Sequence, residues 1–212
     1  MPDPVLTARF RDHLREQGLK PGDLLEGEIA LAQRFGVSRG ALREVIMHFC
    51  QLGVLERVRN RGTSVRALDP EMLAGDLATC FALAGFDPAD LKETRRLVET
   101  GAAALVARRL APAAAADLQR LIAAMAGEPD LAAADRLDRD FHLRLIAACG
   151  NPCLSMFAGV IQALFHQQHR QQFLNRTAVE RSLADHRAIL AALEAGDGAA
   201  AARLLDAHIA AT

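Results

Sequence analysis

The chain has 212 residues, 51% of them apolar, and a formal net charge of −1. That length allows one large domain or two small ones with a real core, and no apolar run approaches the ~18–20 residues of a membrane helix. Asp3, Arg9, Arg11, Asp12, Arg15 and Glu16 interrupt any signal-peptide stretch, so a soluble, cytoplasmic protein without membrane partners is expected.

Cys50, Cys80, Cys149 and Cys153 form no CxxC pair and no Cys/His cluster of metal type, so reduced and mostly buried thiols are expected. Charge divides along the chain. Residues 1–68 hold 11 Arg/Lys against 8 Asp/Glu, and residues 69–212 hold 14 against 18. A basic head on an acidic body suits a protein that meets DNA with one end. Glycine breakers punctuate the first third. From Asp69 onward, long Ala- and Leu-rich stretches run between isolated breakers. The boundary falls near Arg66–Pro70, giving a head of residues 1–68 and a body of residues 69–212.

In the head, Phe10 and Leu14 mark a first helix over 8–17. A second spans 28–35, with Ile29, Leu31 and Ala32 facing inward. Gly36-Val37-Ser38 forms a tight turn, and Ser38 is a good N-cap for a third helix over 39–52. Leu42, Val45, Ile46 and Phe49 give that helix one apolar face. Arg39 and Arg43, four apart, share another face at its N-terminal end. Val54–Val58 and Thr63–Leu68 read as two short strands around the basic tip Arg59-Asn60-Arg61-Gly62. A helix-turn-helix followed by a basic hairpin is a winged helix. A recognition helix fits the major groove, where an arginine reads guanine O6 and N7. Ser38 and the helix N-terminus suit phosphate, Gly40 removes bulk where the backbone would come close, and Arg61 reaches a minor groove or phosphate. The alternative is a small helical hairpin with solvated arginines, which leaves the joint pattern unexplained.

Gly36-Val37-Ser38-Arg39-Gly40-Ala41-Leu42-Arg43-Glu44, preceded by Lys20-Pro21-Gly22-Asp23-Leu24-Leu25 and followed by Arg61-Gly62-Thr63, resembles the GntR family of bacterial winged-helix regulators. The resemblance covers residues 5–68 and implies DNA contacts at Arg39 and Arg43. Ile29 stands where that family often has arginine, so one DNA contact is expected to be missing.

The body reads as six or seven helices, at about 70–84, 88–110, 112–126, 130–149, 152–174, 177–195 and 197–211, forming an antiparallel bundle. The fold class is therefore mainly α, with an N-terminal winged helix and a C-terminal all-α bundle. Asp138 and His142 lie one turn apart on one helix face. His186 and His208 stand 11 residues either side of Asp197, which centres the last turn, so an antiparallel hairpin sets them at one height. If the helix over 130–149 packs there, three imidazoles and a carboxylate converge. Such a set suits Zn, Ni, Mn or Fe as a divalent ion and is costly to bury without a partner. His166 and His169 read as ordinary surface or hydrogen-bonded histidines.

Asp138-Arg139-Asp140-Phe141-His142, Gly150-Asn151-Pro152, Asp185-His186-Arg187-Ala188-Ile189-Leu190, Gly196-Asp197 and His208 are together similar to the FCD domain of the FadR branch of that family. This resemblance spans residues 70–211 and implies metal ligands at Asp138, His142, His186 and His208. It also implies that acyl-CoA, bound by members lacking the set, is not the ligand. Asp90–Glu99 resembles the first helix of that domain, in which an arginine four residues before a glutamate faces the cavity. Arg95 is then either a buried clamp for a small carboxylate effector or one half of an exposed Arg95–Glu99 pair.

The expected function is a homodimeric regulator, read as a repressor, binding a near-palindromic double-stranded operator under control of a small organic acid held at the metal. A metal-ion sensor is the alternative. A metal-dependent enzyme with a DNA-binding appendage is disfavoured by the lack of a placed general base, HExxH motif or nucleophile elbow.

Overall fold

The computed structural model describes residues 2–168, 173 and 175–211, and the chain divides into two compact units between Asp69 and Pro70.

The first unit holds α1 (Pro4–Glu16), α2 (Glu28–Phe35), α3 (Arg39–Gln51), β1 (Leu55–Val58) and β2 (Gly62–Val65). The first helix starts four residues earlier than its apolar spacing predicts. Asp3 is its N-cap, accepting from the Val5 and Leu6 amides at 2.8 and 3.4 Å, with proline opening the first turn. Phe10 of α1 is fully buried against Phe35 and Phe49, with ring centroids 5.9 and 5.3 Å away. Gly36 closes α2, and Ser38 Oγ accepts the Ala41 amide at 3.1 Å to open α3. Leu42, Val45, Ile46 and Phe49 fill the core from α3, as their spacing requires. Ile29 does not face inward. It is 56% exposed, because Leu31, Ala32 and Phe35 already supply the buried stripe of this short helix.

β1 and β2 pair antiparallel from Leu55↔Val65 to Val58↔Gly62. The tip turns with Asn60 at φ 60 and Gly62 at φ 108. The second value lies where a side chain is strained, which gives Gly62 a conformational reason to be glycine. Leu24 bridges to Ser64, and the Leu25 amide donates to Thr63 O at 2.8 Å, so the Gly22–Leu25 segment extends the hairpin by a short third edge.

The second unit is α4 (Pro70–Ala84), α5 (Pro88–Arg109), α6 (Pro112–Gly127), α7 (Leu131–Ala147), α8 (Pro152–Gln168), α9 (Arg176–Glu194) and α10 (Gly198–Ala211). Prolines open α5, α6 and α8, and Asn151 caps α8 by accepting the Cys153 and Leu154 amides. The helix expected over 152–174 does not reach its predicted end. Phe173 is not helical, and Asn175 is extended (φ −162, ψ 168) so that its side chain can cap α9. The rest of that end, including His169, lies outside the described residues.

α7 packs against α5, α6, α8 and α9, while α10 packs against α5 and α9. Phe141, Leu145, Ile146, Ile189, Leu193 and Leu205 belong to the shared core. α10 meets α5 closely: a Cβ at Gly198 would lie 2.7 Å from Ala104 Cα. Only glycine permits that approach, which fixes the height of α10 on α5. All four cysteines are free, but Cys80 and Cys153 are exposed rather than buried. α4 is capped by no core on its outer side, and α8 exposes its first turn, so their apolar composition overstates burial. Among the described residues, no helix is long and apolar enough to cross a membrane.

Candidate metal centre and nucleic-acid interface

α7 brings Asp138 and His142 inward one turn apart, α9 brings His186, and α10 brings His208. All four are buried, and one ligand atom from each lies within 4.8 Å of the others. His142 Nε2 stands 3.2 Å from His208 Nε2, and His186 Nε2 stands 3.2 Å from Asp138 Oδ1. The imidazoles of His142 and His208 stack at 5.1 Å, and His186 stacks on Phe141 at 3.8 Å.

Two of the three outward nitrogens are tied down. His142 Nδ1 lies 2.5 Å from Glu99 Oε2, and His208 Nδ1 lies 3.1 Å from Asp185 Oδ2. A carboxylate on Nδ1 holds the proton there and leaves Nε2 as an inward lone pair. Two lone pairs facing each other at 3.2 Å repel unless a cation or proton lies between them. Ser182 Oγ donates to Asp138 Oδ1 at 2.7 Å, orienting the carboxylate, while His186 Nδ1 is buried with no hydrogen-bond partner among the described residues. This donor set and its carboxylate backing fit a divalent ion of borderline softness.

Burial alone would raise Asp138, but the hydrogen bond to His186 and the surrounding imidazoles hold its carboxyl well below the usual range. Burial, reinforced by His142 and His186, pushes His208 down to about 4, and burial pushes His186 down as well. Burial opposes ionisation of Glu99, yet His142 and Arg95 outweigh it and hold that carboxyl down to about 2. His166, beside Asp135, is likewise pushed down by burial to about 4.

These shifts set an acid-stability profile. A histidine whose folded value lies below its unfolded value resists protonation only in the native state. Stability is then complete above the ordinary value of 6.5 and falls as pH drops toward about 4 for His208 and His166. Glu99 adds a second loss between its ordinary 4.5 and about 2. Chelator-treated protein should show a thermal midpoint that falls steadily from pH 6.5 to 4, measured by circular dichroism. A flat midpoint across that window would contradict the burial of neutral imidazoles.

Arg95 resolves its two sequence readings in an unexpected way. It does pair with Glu99, at 2.8 Å, but the pair is buried, each side chain being 1% exposed. The exposed version is therefore wrong. Its guanidinium lies over the Phe165 ring at 4.8 Å, and its Nη1 has no hydrogen-bond partner among the described residues. Gln162 Nε2 donates to Glu99 Oε1 at 2.7 Å, while its own Oε1 has none among the described residues. Glu99 thus gathers Arg95, Gln162 and His142 and leaves a buried donor and a buried acceptor beside the histidines. A crevice of about 60 Å³ lined by Arg181, Ser182, Asp185 and His208 opens on the other side.

Sequence reasoning missed Ser182, Asp185 and Gln162. The first was readable, since it precedes His186 by one helical turn. Asp185 adjoins His186, yet it serves His208, which only the hairpin geometry reveals. Nothing around Gln162 announces it.

In the first unit, Ser38, Arg39, Gly40, Arg43, Arg61 and Gly62 are all exposed. Arg39 has no hydrogen bond or ion pair among the described residues, and Met47 continues the Arg39–Arg43 stripe, 44% exposed. A Cβ at Gly40 would meet only Ser38 Oγ at 3.8 Å, so nothing within the chain demands glycine there. Arg43 is held: its Nε and Nη2 donate to Glu28 Oε2 at 3.2 and 3.0 Å, and Arg57 Nη1 reaches Glu28 Oε1 at 2.6 Å. Glu28 was not anticipated, since its partners lie 15 or more residues away on other elements.

The model of the FCD domain matches residues 90–211, and that of the bacterial regulatory proteins of the gntR family matches residues 5–65. The chain is 30% identical over 197 residues to the HTH-type transcriptional regulator LutR of Bacillus subtilis (strain 168), covering 90% of each. It is 28% identical over 210 residues to the putative L-lactate dehydrogenase operon regulatory protein of Escherichia coli (strain K12), covering 95% of this chain and 81% of that one. Among solved structures, Streptococcus agalactiae GntR superposes with a TM-score of 0.72 at 24% identity, covering 97% of this chain and 96% of the other. At that identity the superposition speaks for the fold alone.

Proposed function

The chain belongs to the GntR family of bacterial transcriptional regulators and carries its FCD domain, and from that premise we propose a homodimeric repressor released or retained by a small carboxylate. Its family and relatives are regulators rather than enzymes. Two heads place two α3 helices in the half-sites of a near-palindromic operator. Arg39 and Arg43 read base edges, Ser38 and the α3 N-terminus take a phosphate, Gly40 lets the backbone approach, and Arg61 with Gly62 forms the wing contact.

In the second unit, Asp138, His142, His186 and His208 hold a divalent Zn, Ni, Mn or Fe ion. Such an ion, when bound, supplies a Lewis-acidic point for a carboxylate oxygen. Arg95 offers to the same acid its Nη1, which has no hydrogen-bond partner among the described residues, and Gln162 Oε1 offers an acceptor for a hydroxyl. A hydroxy acid answers both. The name of one relative points the same way, an L-lactate dehydrogenase operon regulatory protein. A small crevice of about 60 Å³ lies beside His208. Binding of an organic acid there favours one arrangement of the unit over another.

The observation that carries this reading is the buried quartet whose His142 and His208 are each backed by a carboxylate. To test it, an operator is first selected from random duplexes with the metal-loaded protein. L-lactate and other acids of two to four carbons are then titrated into the complex, with and without chelator. A shift in DNA affinity that needs both acid and metal is the expected result. A shift caused by metal alone makes the protein a metal sensor, and no shift with either defeats the proposal.

A further inference from the structure

Glu28 is the first residue of α2, and its side chain is 17% exposed. Both of its oxygens are used: Oε2 accepts from Arg43 Nε and Nη2, and Oε1 pairs with Arg57 of β1. One carboxylate therefore ties α2 to the recognition helix and to the wing. Burial would raise its pKa, but the Arg57 and Arg43 hydrogen bonds outweigh that and lower it. It is an anion set among groups that must face a polyanion, so its charge works against non-specific DNA binding.

The geometry has a consequence for readout. A guanidinium carries five N–H bonds. Glu28 takes the Nε–H and one Nη2–H of Arg43, the side edge of the fork. The end edge, one hydrogen on Nη1 and the other on Nη2, takes no partner among the described residues. That end edge is the one that spans guanine O6 and N7. Arg43 is 58% exposed, so without a tether its long side chain would sample many rotamers and lose that freedom on binding.

We propose that Glu28 is a specificity-determining positioning residue, aiming the end edge of Arg43 at a base pair while suppressing attraction to DNA of any sequence. This rests on Arg43 being a base contact, as set out above.

Glu28→Gln separates the two effects because they have opposite signs. Binding is measured for three duplexes: the selected operator, the operator altered at the base pair whose preference Arg43→Ala loses, and an unrelated sequence. Glu28→Gln should bind the unrelated duplex as well as wild type or several-fold better. It should also discriminate at the Arg43 base pair about tenfold less. Glu28→Asp keeps the charge but draws the carboxylate back by one methylene, so it should lose discrimination without gaining non-specific affinity. In an Arg43→Ala background, Glu28→Gln should leave discrimination at that base pair unchanged. A folded Glu28→Gln or Glu28→Asp with undiminished discrimination overturns the inference. If Arg43→Ala changes preference at no base pair, the reading of Arg43 fails first and this inference fails with it.

Discussion

His208→Ala is expected to weaken metal binding at least ~100-fold and to remove most of the metal-dependent heat resistance. The reason is arithmetic. A ligand that binds only the folded chain at a thousandfold over its dissociation constant stabilises by ~4 kcal/mol. For a chain of this size that is roughly 8–16 °C of thermal midpoint. In the proposed site His208 supplies one of four inward ligand atoms, with Asp185 Oδ2 3.1 Å from its Nδ1. Its loss leaves three ligands and at least ~100-fold weaker binding, so ~2.7 kcal/mol of that gain disappears. Asp185 is already 39% exposed and can hydrate, but losing the buried imidazole stacked on His142 leaves a cavity that lowers the chelated midpoint too. The readout is therefore the rise in midpoint that metal brings to each protein, which should be far smaller in the variant. Elemental analysis gives the second readout. A His208→Ala protein that keeps a full equivalent of metal through exhaustive dialysis, as wild type does, would remove His208 from the ligand set.

How much of this was legible beforehand depends on the range of each interaction. Asp138 and His142 share a helix face by local spacing, and the pairing of His186 with His208 follows from symmetry about Asp197. Both needed only helix geometry and one turn. α3 was equally readable because Ser38, the Leu42–Phe49 face and the arginine pair all lie within a few turns. Ile29 misled because an eight-residue helix buries only one narrow stripe, and apolar type alone does not say which residue falls outside it. The start of α1 was missed because Asp3-Pro4 signals a cap by hydrogen bonding rather than by apolar rhythm. The Glu99 hub and the Glu28 clamp were hidden for a different reason. Each joins three elements, as in Glu99 of α5 with His142 of α7 and Gln162 of α8. Charge pairs across that distance in sequence leave no periodic trace. Arg95 shows the limit best: the spacing to Glu99 was visible, but its burial depended on α8 covering it with Phe165.

The double replacement Arg39→Ala, Arg43→Ala should reduce affinity for the selected operator at least a hundredfold while leaving the head folded. A bidentate arginine–guanine contact contributes ~1–3 kcal/mol of discrimination, and both guanidiniums are exposed on the N-terminal end of α3. The two sit one turn apart, so their losses need not add, and the single variants apportion the effect. Arg39 is untethered and should order on binding. Arg43 is already held by Glu28, so its loss should fall more sharply on one base pair. Neither side chain supports the core, which is built from Leu42, Val45, Ile46 and Phe49, so thermal unfolding of the head should be nearly unchanged. Losing the Arg43–Glu28 bridge contributes little, because Arg43 is 58% exposed and Glu28 keeps Arg57 at 2.6 Å. Salt dependence supplies the internal check. Losing base contacts should lower affinity for the operator far more than for unrelated duplex, whereas losing phosphate contacts lowers both and flattens the slope with salt. If the doubly substituted protein still distinguishes its operator from unrelated DNA as sharply as wild type, α3 is not the reading helix.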